Sequence, residues 1–387
     1  MKSIKEVYGR PIVKFAVFTW LIVAGICLFQ GLARADRGGI GDDDTIPLIK
    51  VGDKFPATEL VSPKLKADRE YLGLPDKPGF YLNEVKADVM LVEFMNIHCM
   101  HCKMQAPILD KVFASIEKDH KMKGRVKLLS IGVGNRERDL EQFRKEKKVP
   151  FPMIPDRDFV AMENIGYPEA TPFIMILKKE KGNFVVKFAH LGMIKDPNIF
   201  LDKIRKLLEG VALAPSKQNY KSAYHLMNPH ITKEKARKMF IDRLASLGYK
   251  VEKITRLDIK VRRPQQVYSV DVKKGGKTET WFAVVGAEGK ICDVCHDVYF
   301  IYVFDRKGTI RDLLPIQFPK YGNKLFDKAD VEKTRKAIVG KNVLQPIQFN
   351  EETDAVTSGT MSSQLIFRCV NRGRKIYEKL KKAGYIQ

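Results

Sequence analysis

Two cysteines three positions apart, Cys99 and Cys102, sit between an apolar run and a helix-like stretch: Val92-Glu93-Phe94-Met95-Asn96-Ile97-His98-Cys99-Met100-His101-Cys102-Lys103-Met104-Gln105-Ala106-Pro107. At a helix N-terminus the unpaired N–H groups and the positive end of the macrodipole stabilise a thiolate. A thiolate at Cys99 could attack a partner's disulfide, and Cys102, one turn further on, could resolve the mixed disulfide. The alternatives are a structural disulfide or half of a zinc site. Zinc would need two more ligands, and only His98 and His101 stand nearby, crowded into the same turn, so no metal is expected.

A second pair, Cys292-Asp293-Val294-Cys295-His296, has the form of a c-type haem attachment site, in which two thiols add to vinyl groups and the next imidazole binds iron. The same residues could instead form a second redox pair that exchanges electrons with Cys99/Cys102, or a structural or metal-bound pair. A third segment, Asp354 to Ser363, places Ser358 and Gly359 before Thr360. Small residues there would let backbone approach a phosphate, whereas a plain reading is a helix N-cap leading into a helix over Gln364 to Leu380. Cys369 in that helix reads as a core residue.

The elements that must position these residues follow from periodicity. Strands are predicted at 89–94, 126–132, 171–177 and 184–190, with helices at 99–116, 139–147 and 198–209. This alternation predicts an α/β fold, a central mixed sheet with helices on both faces. After a linker at 212–230, a helix over 232–247 carries Ala236, Met239, Phe240, Leu244 and Leu247 on one face. Strand-like runs follow at 249–261, 266–273 and 279–285, with a turn at Gly275-Gly276. The expected organisation is a leader at 1–35, the α/β part at 46–211, a small αβββ module at 231–290 and an α+β domain at 291–387.

The stretch Cys99 to Asp110 resembles the active-site helix of the thioredoxin family. The opening Val51-Gly52-Asp53-Lys54-Phe55-Pro56 and the insertion Phe151 to Asp156 are similar to its periplasmic, cytochrome-maturation branch. The resemblance implies a thioredoxin fold over 46–211 and a thiol–disulfide oxidoreductase. Cys99 would be the attacking thiol, Cys102 the resolving thiol, Glu93 the buried acid that manages its proton, and Thr171-Pro172 a cis-proline loop that presents substrate backbone. Peroxiredoxins share the opening but need a threonine where Asn96 stands. His98 departs from the family's usual tryptophan, and His101 resembles the more oxidising members. The αβββ run is faintly similar to PepSY modules. The 354–363 segment resembles the exported FMN-binding domains of respiratory sodium pumps and nitrous-oxide regulators, which would give Ser358, Gly359 and Thr360 a flavin-binding role. The cysteine-pair chemistry itself needs no cofactor. FMN or covalent haem c in the C-terminal part is the added expectation.

Met1-Lys2-Ser3-Ile4-Lys5, with Arg10 and Lys14, precedes an apolar run from Phe15 to Ala33 and then Arg34-Ala35-Asp36. This reads as a secretory signal or an N-terminal anchor, and either sends the rest of the chain out of the cytoplasm, to the periplasm or the periplasmic side of the inner membrane. The formal charge is +23. Export removes nucleic acid as a partner and leaves anionic headgroups or an acidic redox partner. The expected partners are protein disulfides or dithiols, with a membrane redox partner as a further candidate. Two other readings stand beside the oxidoreductase: an electron-transfer protein holding flavin or haem in its C-terminal part, and a non-catalytic docking module for a membrane redox complex.

Overall fold

The computed structural model describes residues 46–214, 217–223, 231–261, 265–291, 297–322 and 324–387. In the N-terminal part the order is β1 (Glu59–Val61), α1 (Lys66–Leu72), β2 (Gly79–Tyr81), β3 (Val89–Met95), α2 (Met100–Lys118), β4 (Val126–Val133), α3 (Glu137–Lys147) and β5 (Met153–Asp156). It continues with α4 (Val160–Asn164), β6 (Phe173–Glu180), β7 (Asn183–Leu191) and α5 (Asn198–Leu208). Five of these strands form one sheet in the order β5-β4-β3-β6-β7. Strands β3, β4 and β5 are parallel, and β6 and β7 are antiparallel to their neighbours.

All seven residues of β3 are buried, as a central strand covered on both faces requires. Alternate residues therefore feed two cores. Met90, Val92 and Phe94 enter one with Phe80 and Ile154, while Leu91 and Met95 enter the other with Val112, Ile116 and Ile204. Helix α2 runs unbroken through Pro107. The insertion Phe151–Asp156 supplies the edge strand β5, which sequence alone did not assign.

The C-terminal part contains α6 (Lys233–Ser246), β8 (Lys250–Arg256), β9 (Gln266–Lys274), β10 (Lys277–Glu288), β11 (Val298–Asp305), β12 (Ile310–Gln317), the short pair β13 (Pro319–Lys320) and β14 (Lys324–Leu325), α7 (Lys328–Ile338), α8 (Glu351–Asp354), α9 (Thr360–Asn371) and α10 (Gly373–Lys382). Strands β8 to β12 form one antiparallel sheet in the order β12-β11-β10-β9-β8. The boundary expected at 290/291 is thus corrected, because β10 and β11 are neighbours in a single sheet. A three-stranded module ending at 285 would leave an apolar edge unpaired, and β11 covers it. Helix α6 packs Phe240 and Leu244 on one face of this sheet, against Val270, Trp281 and Val303. Ile366, Cys369, Val370 and Leu380 pack on the other, with Phe282, Phe300 and Tyr302.

The single helix expected over 364–380 is two helices that meet at Arg372. Gly373 lies against Val343 and Tyr302, where a Cβ would come within 3.0 Å of Val343. Among the described residues no helix is long and apolar enough to cross a membrane. The leader at 1–35 lies outside them.

Candidate active site

Strand β3 ends at Met95, and the chain turns into α2 through Asn96, which fixes the turn from both ends of its side chain. Its Nδ2 donates to the Val133 carbonyl at 2.7 Å, and its Oδ1 accepts from the His98 N–H at 2.8 Å. Cys99 is thereby placed at the N-cap of α2. Its Sγ accepts from the Cys102 N–H at 3.3 Å and donates to the Thr171 carbonyl at the same distance. The Thr171-Pro172 peptide bond is cis. One turn of helix and the start of β6 thus converge on one sulfur atom, which is fully buried, as is Cys102.

Glu93 lies on β3 opposite Ser130 of β4. It is 4% exposed. The Ser130 hydroxyl donates to its Oε2 at 2.7 Å, and its Oε1 has no hydrogen-bond partner among the described residues. Burial pushes the Glu93 carboxyl up to about 7, and the Ser130 bond offsets this in part. Burial also pushes the Cys102 thiol well above the ordinary cysteine range, and the charges of Cys99 and Glu93 act in the same direction. A thiol that holds its proton tightly therefore sits in the field of a carboxyl poised near neutrality. That arrangement can move one proton when Cys102 becomes a nucleophile.

The rim of this site is made by the C-terminal part. Arg136 Nη2 donates to Glu351 Oε2 at 2.9 Å, Arg138 reaches Glu352 at 2.9 Å, and His98 Nε2 stands 3.6 Å from Glu351. The His98 contact holds the Glu351 carboxyl below its ordinary range, against burial. Gln364 of α9 donates to the Gly134 carbonyl. Arg368 and Arg372 both bind Glu163 of α4 and Glu288 at the end of β10, with Arg368 Nη1 at 3.0 Å from Glu288. The Arg368 guanidinium also lies over the rings of Phe159 and Tyr167, at 4.2 and 4.8 Å. Sequence reasoning missed this cluster. Its signal was present in Arg368, set inside the apolar run Leu365-Ile366-Phe367-Arg368-Cys369-Val370, with Arg372 four residues on.

Of the other sequence-predicted residues, Cys292, Cys295 and His296 lie outside the described residues. Ser358 precedes the N-cap Gly359 and Thr360 opens α9, whose next residue, Met361, packs against both cores of the N-terminal part, including the one that holds Cys99 and Cys102. Phe326 fills the space beside Gly359, where a Cβ would come within 2.8 Å of its ring. The hydroxyls that follow are committed inward: Ser362 donates to the Pro319 carbonyl at 2.6 Å, and Ser363 donates to the Gly359 carbonyl at 3.1 Å. A cavity of about 920 Å³ is lined by Gln364, Phe367, Arg368 and Asn371 of α9 but not by residues 358–360. Gly359 is the N-cap of α9 and gives it no side-chain hydrogen bond. Among the described residues no group of three or more His, Cys, Asp or Glu could hold a metal ion.

A mixed sheet in the order β5-β4-β3-β6-β7, a Cys-x-x-Cys pair at the first turn of the helix after the central strand, and a cis-proline facing it make the N-terminal part a thioredoxin-like fold. No protein-family model matches the chain. No curated protein matches it either. Among solved structures, the chain is similar to the thioredoxin domain of a thiol-disulfide oxidoreductase from Bacteroides vulgatus, with 19% identity, a TM-score of 0.31, and 41% of this chain and 99% of that one covered. It is also similar to StoA from Bacillus subtilis, with 16% identity, a TM-score of 0.29, and 38% and 97% covered. A third is a secreted Mycobacterium tuberculosis disulfide oxidoreductase, with 12% identity, a TM-score of 0.29, and 38% and 95% covered.

Proposed function

We propose that the chain is an exported thiol–disulfide oxidoreductase acting on protein disulfides or dithiols through Cys99 and Cys102. The observation that carries this reading is the setting of Cys99 Sγ, held between the Cys102 N–H and the carbonyl of Thr171 beside cis-Pro172. The Cys99 thiolate attacks one sulfur of a partner disulfide, forming a mixed disulfide, and the partner's other sulfur leaves as a thiolate. Cys102 passes its proton to Glu93 and attacks Cys99 Sγ, which releases the partner's first sulfur. The partner gains two electrons and the Cys99/Cys102 pair loses them; oxidation of a partner dithiol is the reverse. Cys99→Ser is expected to abolish exchange with a model protein disulfide, and retained turnover would sink the assignment.

The reading extends to the chain's own second pair. The Ile291 carbonyl accepts from both Thr171 N–H and Thr171 Oγ1, at 2.8 and 2.9 Å, and Ile291 is the residue before Cys292. This supports a relay in which Cys292/Cys295 exchange with Cys99/Cys102, and it favours a dithiol over haem at those positions. In a Cys102→Ser chain the relay should accumulate a Cys99 mixed disulfide to the second pair, seen by peptide mass. A covalent haem would show instead in the visible spectrum and the intact mass. The leader-like residues 1–35 support action outside the cytoplasm, with electrons exchanged there with a partner at the membrane.

A further inference from the structure

An extended polypeptide that adds to a thioredoxin-like site pairs its backbone with the residue before the cis-proline, which brings its own sulfur to the attacking cysteine. In this chain the polar groups of Thr171 that could serve an incoming strand are already used. The N–H and Oγ1 both meet the Ile291 carbonyl, and the Thr171 carbonyl accepts from Cys99. Two residues earlier, the Gly289 carbonyl accepts from the Tyr167 hydroxyl at 3.0 Å. Contacts at 289 and 291 but not 290 follow the two-residue repeat of an extended segment.

The segment is seated rather than merely adjacent. Ile291 is fully buried and belongs to the N-terminal core, together with Tyr167, Phe173, Tyr220 and Ala223. Gly289 passes so close that a Cβ there would lie 2.5 Å from the Ala223 Cβ, an atom fixed to backbone. Glu288, just upstream, is fully buried between Arg368 and Arg372, and both arginines also bind Glu163 of α4. The segment therefore enters the site from an anchored point.

We propose that residues 289–291 are a built-in occupant of the polypeptide-binding position on the Thr171-Pro172 loop, so that an external protein segment reaches Cys99 only in competition with them. This rests on the reading of Cys99 as the exchanging thiol. It names what that thiol's binding groove holds at rest, an extended stretch of the chain's own C-terminal part. It also accounts for an attacking thiol with no exposed surface.

The test uses the reduced full chain and its Gly289→Val variant, whose added side chain collides with Ala223 and expels the segment. Cys99 alkylation by iodoacetamide is followed by peptide mass, together with hydrogen exchange at the Thr171 amide. The variant is expected to label Cys99 on the order of tenfold faster and to lose protection at Thr171. A synthetic peptide of sequence 286–291 should restore slow labelling. Equal rates in the two chains, whether both fast or both slow, would overturn the proposal. If Gly289→Val does not fold, Tyr167→Phe, which removes only the hydrogen bond to Gly289, must still raise the labelling rate. Alkylation requires no catalysis, so failure of Cys99→Ser to abolish exchange would strike the oxidoreductase reading and leave this measurement standing.

Discussion

Two glutamates are buried beside this site, and the protein treats them in opposite ways. Glu93 sits on the central strand of the first sheet with one neutral donor, Ser130, and one carboxylate oxygen without a partner among the described residues. Glu288 ends β10 of the second sheet and is bound by two guanidinium groups, those of Arg368 and Arg372. Burial alone makes a carboxylate expensive, and the two sites relieve that cost differently. Cations beside Glu288 offset the desolvation of its charge and turn it into a joint between α9 and the chain entering residues 289–291. Glu93, with the neutral Ser130 hydroxyl as its donor among the described residues, takes a proton near neutrality. Burial fixes how much is at stake, and the neighbours decide whether a buried acid becomes a clamp or a proton carrier.

The sharpest way to break the comparison is to remove the clamp. Glu288→Ala takes a fully buried carboxylate from the Arg368 and Arg372 guanidinium groups, and it should cost about 3 kcal/mol or more in denaturant unfolding. Trp281, fully packed in the second sheet, is the fluorescent reporter. A cost within about 0.5 kcal/mol would mean that Glu288 is not a joint.

Glu93→Gln tests the other half. The folded carboxyl titrates at about 7, against 4.5 for an unburied one, so between those pH values the folded chain holds a proton the unfolded chain has lost. This group's contribution is most favourable below 4.5, declines as pH rises toward 7 and is level above that. The glutamine variant lacks that decline. Its stability relative to wild type should therefore grow across that window and level off at no more than about 3 kcal/mol. In stopped-flow exchange, the resolving step by Cys102 should slow on the order of a hundredfold at pH 7. A variant that is more stable at pH 8 yet slower at resolution would identify Glu93 as a group kept for chemistry.

Much of the first sheet was legible because its signals are local. The unbroken apolar run of β3, the cysteine pair at a strand-to-helix junction and the proline after Thr171 each constrain a few adjacent residues. Strand β5 escaped because Pro152 and Pro155 read as insertion, although an edge strand tolerates a missing donor. What remained hidden is non-local. Nothing in Gly289-Lys290-Ile291 distinguishes a segment that pairs with Thr171, 120 residues earlier, from any other strand exit. The arginines of α9 and α10 could be read as solvated charge because their glutamate partners lie in α4 and β10. The hydroxyls of Ser362 and Ser363 look available in sequence for a related reason, since their acceptors, the carbonyls of Pro319 and Gly359, are set by the fold.

The finest test of the comparison is the one hydrogen bond that distinguishes Glu93 from an unpartnered buried acid. Ser130 can be shortened to alanine with little loss of packing, since only the hydroxyl bonded to Oε2 at 2.7 Å is removed. That bond favours the charged carboxylate, so its loss should move the Glu93 titration upward from about 7. Carbon-detected NMR of the labelled carboxyl would read the shift directly. The stability cost should be about 1 kcal/mol at pH 8, where wild-type Glu93 is charged, and smaller at pH 5, where it is already protonated. A cost independent of pH would mean that the hydroxyl serves packing between β3 and β4, and that burial alone sets the proton affinity of Glu93. A cost confined to high pH would make Ser130 the residue that keeps this acid within reach of neutral pH.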